Sequence, residues 1–151
     1  MMCAPRGKYF EDFEIGHIVK SPSRTITESD IMRFAGLSGD YNQLHTDAEM
    51  MKQSRYGERI AHGLLGLAIV SGLSSRLGFA EGTAEAFTNL KWKFRQPIMI
   101  GDTIHATFKV VRKKKVAQLE GGFVVFKINV FNQDCEIVQR GSWTALMKSK
   151  S

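Results

Sequence analysis

Apolar and polar positions along this chain change period about half way. Ile31, Phe34, Ala35 and Leu37 recur at helical spacing until Gly39, and Thr27 followed three residues later by Asp30 has the form of an N-cap with an acidic third position. A helix is therefore predicted between Thr27 and Gly39. Asp47 is a second N-cap candidate, opening a short helix through Met50, Met51 and Lys52. From Gly63 to Leu77 the pattern is apolar nearly all round (Leu64, Leu65, Leu67, Ile69, Val70, Leu73, Leu77), which predicts a buried helix.

Beyond that helix the period becomes two. Leu90, Trp92 and Phe94 alternate with Lys91, Lys93 and Arg95, as in a strand with one buried and one wet face. Pro97 and the pair Gly101-Asp102 break the run. Three further strands are predicted at about 103–112, 118–131 and 136–147, after an extended opening at about 17–26. Arg112 to Lys115 reads as a solvated hairpin turn. The sum is an α+β chain in which a long, largely antiparallel meander wraps one central buried helix, the hot-dog architecture. No repeat or linker divides residues 1–151, so a single domain is expected, with an ordered core over about 9–147.

Composition narrows the function classes. A length of 151 residues with 43% hydrophobic and 24% charged residues is the balance of one soluble globular domain. A net charge of +6 suits a polyanion, a small phosphorylated ligand or plain solubility, and without a helix-turn-helix, zinc-finger or RNP pattern no nucleic-acid partner is expected. The first residues carry no apolar run of signal-peptide length. The longest apolar stretch, 63–73, is interrupted by Gly66, Ser71 and Gly72 and is too short to span a bilayer. No membrane partner and a cytoplasmic location are expected. Cys3 and Cys135 make no disulfide framework, which fits a reducing compartment.

The candidate chemistry lies in SGDYNQLHTD, residues 38–47, where the first helix has ended. An unperturbed carboxylate titrates near ~4 and an imidazole near ~6.5, so Asp40 and His45 facing one another across a cleft would both accept a proton at neutral pH and could hold one water. Water held in that way is what hydration of a conjugated double bond requires, and its reverse dehydrates a 3-hydroxy compound. Negative charge developing on a carbonyl oxygen calls for N–H donors at a helix N-terminus, the position that Ala61-His62-Gly63 offers. On the residues alone a plainer reading stays open: Asp40 and Asn42 bonding their own backbone in a turn, His45 as a satisfied core histidine, and His62 as a helix start with no chemical task. His45 and Asp47 are the one closely spaced ligand pair and lack a third partner at a telling spacing, so no metal is expected.

FAGLSGDYNQLH (Phe34 to His45), RIAHGLL (Arg59 to Leu65) and FRQPIMIGDTI (Phe94 to Ile104) resemble segments of the MaoC-like hydratases, also called (R)-specific enoyl-CoA hydratases, over about 9–147. The resemblance implies reversible hydration of a trans-2-enoyl-CoA to its (R)-3-hydroxyacyl-CoA. It implies Asp40 and His45 as the catalytic pair, Asn42 orienting the loop or the water, and the Gly63 N–H, beside His62, polarising the thioester carbonyl. Ser71 would lie close to the pair, and Lys91, Lys93, Arg95 or the Arg112 to Lys115 cluster would meet the phosphates of coenzyme A. No cofactor is implied beyond coenzyme A as part of the substrate, and family members pair two hot-dog units, so a homodimer or higher homo-oligomer is expected. Two positions depart from the family: Gln43 stands where proline is usual, and Met51 where a small residue is. Acyl length depends on how Met50, Met51 and Leu73 pack. Two rival readings keep the fold: a thioesterase in which Asp40 directs water onto the carbonyl carbon, and a non-catalytic acyl-CoA-binding module.

Overall fold

The computed structural model describes residues 6–150; Cys3 lies outside them. In chain order the elements are β1 (Ile18–Lys20), β2 (Arg24–Thr25), α1 (Glu28–Ser38), α2 (Gln43–Thr46), α3 (Ala48–Lys52), α4 (Gly63–Ser75), β3 (Ala84–Phe94), β4 (Thr103–Val116), β5 (Gly121–Phe131) and β6 (Ile137–Lys148). The six strands form one antiparallel sheet in the order β1-β4-β5-β6-β3, with β2 beside β4.

Alternation along β4 and β5 turns Ile104, Ala106, Phe108, Val110, Val124, Phe126, Ile128 and Val130 to one face, where all are buried. Leu65, Ile69, Val70 and Leu73 of α4 pack against that face within one contiguous apolar cluster. Gly66 lets the helix come close, since a Cβ there would stand 2.7 Å from Ile98 Cδ1 and 2.5 Å from Gln139 Nε2. This is the hot-dog arrangement. The helix is not covered all round: Leu64, Ala68 and Ser71 form a stripe open to solvent.

Local chemistry sets the helix ends that shape the site. Thr27 caps α1 through a reciprocal box: its hydroxyl accepts from the Asp30 N–H, and the Asp30 carboxylate accepts from the Thr27 N–H. Gly39 ends the helix in the left-handed region at φ 77°, its N–H bonded to the Ala35 carbonyl at 2.8 Å. Asp47 caps α3 as expected, accepting from the Met50 N–H at 2.9 Å.

Two sequence expectations are corrected. Arg112 to Lys115 is not a turn but the end of strand β4, and the reversal is a 3-10 turn at Ala117–Leu119 closed by Glu120 at φ 46°. The strand runs on because its cations find room or partners. Arg112 and Lys114 stand opposite Val125 and Phe123, Lys113 Nζ donates to the Phe13 carbonyl at 2.6 Å, and Lys115 lies 4.0 Å from Glu11. The second correction concerns the alternation on β3. Leu90 and Phe94 are 42% and 54% exposed instead of buried, because β3 is the sheet's last strand and has no further strand beside it.

Candidate active site

Gly39 ends α1 and turns the chain so that Asp40 begins the loop above the N-terminus of α4. The Asp40 carboxylate accepts from the Asn42 N–H at 3.2 Å, and the Asn42 side chain accepts from the Leu44 N–H at 3.0 Å, which caps α2. That single turn of helix carries His45. These bonds are those of the plainer reading, Asp40 and Asn42 each accepting from the backbone of their own loop.

His45 is buried, and its Nδ1 lies 2.7 Å from the Ile60 carbonyl oxygen. A carbonyl accepts and cannot donate, so Nδ1 carries the hydrogen and Nε2 of the neutral ring offers its lone pair. Nε2 stands 4.0 Å from the carboxylate of Asp40, whose side chain is 52% exposed. The gap is too wide for a direct hydrogen bond. It is the span that one oxygen about 2.8 Å from each group would bridge.

The ligand atoms of Asp40, His45 and His62 lie within 4.8 Å of one another, so space supplies the third partner that spacing along the chain does not show. Tetrahedral zinc brings neighbouring ligand atoms to roughly 3.4 Å; an ion ~2.1 Å from both Asp40 and His45 would sit almost on the line joining them. The 4.0 Å separation is wider than the ligand spacing of tetrahedral zinc.

His45 and Gly63 share a cavity of about 510 Å³ with Leu64, Phe94, Arg55 and Arg95. His62 makes no side-chain cap at the start of α4, so the N–H groups of Gly63 and Leu64 gain no bond from it. The cradle is tight: a Cβ on Gly63 would meet the Phe94 ring at 2.8 Å. Gln139, 1% exposed on β6, donates to the Gly63 carbonyl at 2.9 Å and accepts from the Trp92 indole at 3.1 Å. Gln139 and Arg55 both escape the sequence reading. For Gln139 a signal existed, a polar residue at an inward position of an apolar alternation; for Arg55, in an irregular loop, there was none.

The other expected residues divide. Arg95 lines the cavity that His45 and Gly63 share, whereas Lys91 and Lys93 lie in a separate basin with Lys127 and Arg140. Facing residues of a strand alternate, and these two lysines point to the sheet's outer side. Ser71 lies further along α4. It follows Gly63 by eight residues, ~12 Å along the helix axis, and lines a second cavity of about 510 Å³ with Leu67, Ala86, Phe87 and Trp143. His62 is 2% exposed and lies behind His45, off the cavity wall. Met51 is fully buried and lines neither cavity, so its size bears on the packing of α3.

Leu64 lines both cavities. Among the described residues no helix is long and apolar enough to cross a membrane.

The chain is 41% identical over 103 residues to the (R)-specific enoyl-CoA hydratase of Rhodospirillum rubrum, covering 68% of this chain and 69% of that one. It is 33% identical over 103 residues to the 3-hydroxybutyryl-CoA dehydratase of Methylorubrum extorquens, covering 68% and 63%. The structure of an Archaeoglobus fulgius protein described as a monoamine oxidase regulatory protein superposes with a TM-score of 0.90 at 35% identity, covering 99% of this chain and 100% of that one. The model of the MaoC like domain matches residues 12–127, and the chain belongs to that family.

Proposed function

We propose that this protein is a hydro-lyase that adds water across the conjugated double bond of a trans-2-enoyl-CoA, giving the (R)-3-hydroxyacyl-CoA, and runs the dehydration in reverse. The observation that carries the reading is the 4.0 Å separation of His45 Nε2 and the Asp40 carboxylate beside the open N-terminus of α4. The two curated relatives named above, a hydratase and a dehydratase, support the same reaction read in its two directions.

Water held between the two groups gives one proton to the pair as its oxygen bonds to C3 of the enoyl thioester. The displaced electron pair moves through C2 to the thioester oxygen, where the Gly63 N–H and the positive end of α4 stabilise the negative charge. The pair then returns one proton to C2. Proton count and charge on Asp40 and His45 are the same at the end as at the start.

Arg55 and Arg95, on the wall of the same cavity, supply the positive charge for the phosphates of coenzyme A. The apolar cavity beyond Leu64 takes the acyl chain. A second copy of the chain closes that side: β3 is an unpaired edge, and Phe87, Leu90, Phe94 and Leu64 are 58%, 42%, 54% and 59% exposed around it. Because Phe94 and Leu64 also line the catalytic cavity, the partner completes the site.

The test is loss of the ultraviolet absorbance of the conjugated thioester when crotonyl-CoA and longer enoyl-CoAs meet the protein. Release of free thiol from an acyl-CoA in its place would make the protein a thioesterase. Binding without either reaction would make it a recognition module.

A further inference from the structure

His62 is the least accessible titratable side chain beside the site, and the proposed reaction does not use it. Its ring lies between two others. On one side the His45 ring is stacked on it, centroids 3.7 Å apart and planes 28° apart; on another the Phe34 ring stands at 5.0 Å. Its Nε2 is 2.9 Å from the backbone carbonyl oxygen of Asp40. That oxygen can only accept, so Nε2 carries a hydrogen and donates it. Nδ1 is buried without a partner, which a bare lone pair tolerates better than a buried N–H would.

One imidazole thus touches both members of the pair by different means: Asp40 through a main-chain hydrogen bond, His45 through the face of its ring. Apart from the chain between them, Asp40 and His45 have no direct bond to fix their separation, and the 4.0 Å gap must be kept for a water to fit. We infer that His62 is a positioning residue that sets the distance and angle between the Asp40 carboxylate and His45 Nε2. This rests on the reading of Asp40 and His45 as the water-holding pair, and it replaces the substrate-facing place beside Gly63 that the sequence suggests for His62.

The account separates two features of the ring. His62→Phe keeps a flat ring between Phe34 and His45 but removes the donor to Asp40; His62→Gln keeps a terminal N–H donor and removes the ring. Steady-state rates on crotonyl-CoA are read with each variant's thermal midpoint. For His62→Phe, kcat falls roughly 10- to 100-fold, the scale set by a displacement of ~1 Å, while KM stays within about twofold. His62→Gln recovers part of that loss. A double-mutant cycle with Asp40→Asn gives the decisive readout: once Asp40 is asparagine, His62→Phe has little further effect on kcat, because it acts through Asp40.

A His62→Phe protein that is folded and turns over at the wild-type rate overturns the inference. So does a loss of rate that merely tracks the unfolded fraction, or one that adds in full to the Asp40→Asn loss. Should the phenylalanine variant not fold, His62→Met, which fills the space without a donor, takes its place with the same expected and overturning results. If Asp40→Asn alone leaves turnover intact, the reading of the pair has failed instead, and the two failures are told apart.

Discussion

The carboxylate of Asp40 and Nε2 of His45 stand 4.0 Å apart, one on the loop that Gly39 turns out of α1 and the other on the single-turn helix that Asn42 caps. Neither element has much core of its own. Their relative position comes from bonds that converge on them: Ile60 on Nδ1 of His45, Asn42 on the Asp40 side chain, and His62 on the Asp40 carbonyl. The site is therefore most sensitive to changes in this small polar network.

The cap that starts α1 makes a separate prediction, about the stability of the fold. Burial raises the Asp30 pKa, but the Thr27 N–H and hydroxyl and the Arg24 guanidinium outweigh it and hold the carboxyl below its ordinary 3.8. A carboxylate whose pKa is lowered on folding stabilises the fold fully above its ordinary value, and the gain is lost as pH falls through the folded value. Asp30→Ala is expected to reduce unfolding free energy by about 1 kcal/mol at pH 7. Urea titrations from pH 7 to 2 should show the gap between variant and wild type closing at the acid end.

Gln43 is the first residue of α2, after the Asn42 cap. A proline there fits the helical φ and gives up an N–H that the first turn leaves unbonded. Gln43→Pro is expected to raise stability by about 0.4–1 kcal/mol by restricting the unfolded chain, with kcat unchanged. Thermal unfolding and a rate assay check both halves.

The elements that carry their own pattern were legible in the sequence, and those that depend on a neighbour were not. Thr27 and Asp30, Asp47, and the apolar run from Leu64 to Leu73 announce their helices because caps and burial are written locally. Arg112 to Lys115 looked like a turn because four cations in a row say nothing of the backbone carbonyl that Lys113 meets 100 residues away in the chain. Asp40 and His45 were legible as chemistry, but their separation was not. It depends on Ile60 and His62, which come from a different segment, and Arg55 joins the cavity from a loop with no pattern.

Edge strand β3 leads to a prediction about assembly. Leu90→Lys places a charge among Phe87, Phe94 and Leu64, the apolar residues that the structure leaves exposed. Sedimentation should show a dimer for the wild type and a monomer for the variant, with turnover falling alongside. A wild-type monomer with full activity would contradict the need for a partner.

Arg55 and Arg95 can be separated from the outer lysines by substrate. A charge-assisted bond to phosphate contributes about 1.5–3 kcal/mol, so Arg55→Ala or Arg95→Ala should raise KM for an enoyl-CoA by roughly 10- to 100-fold. KM for the matching pantetheine thioester, which lacks the nucleotide, should not move. Lys91→Ala and Lys93→Ala should leave both unchanged, since these residues lie outside the cavity. An equal rise on both substrates would remove the phosphate role of the arginines.

The most direct test of the central claim is the turnover number of Asp40→Asn on crotonyl-CoA. Asparagine keeps an oxygen for the Asn42 N–H and, at a half-exposed position, leaves the fold intact while removing the carboxylate from the pair. The account predicts a loss of about 10²–10⁴-fold in kcat with an unchanged thermal midpoint. Turnover close to that of the wild type would contradict it.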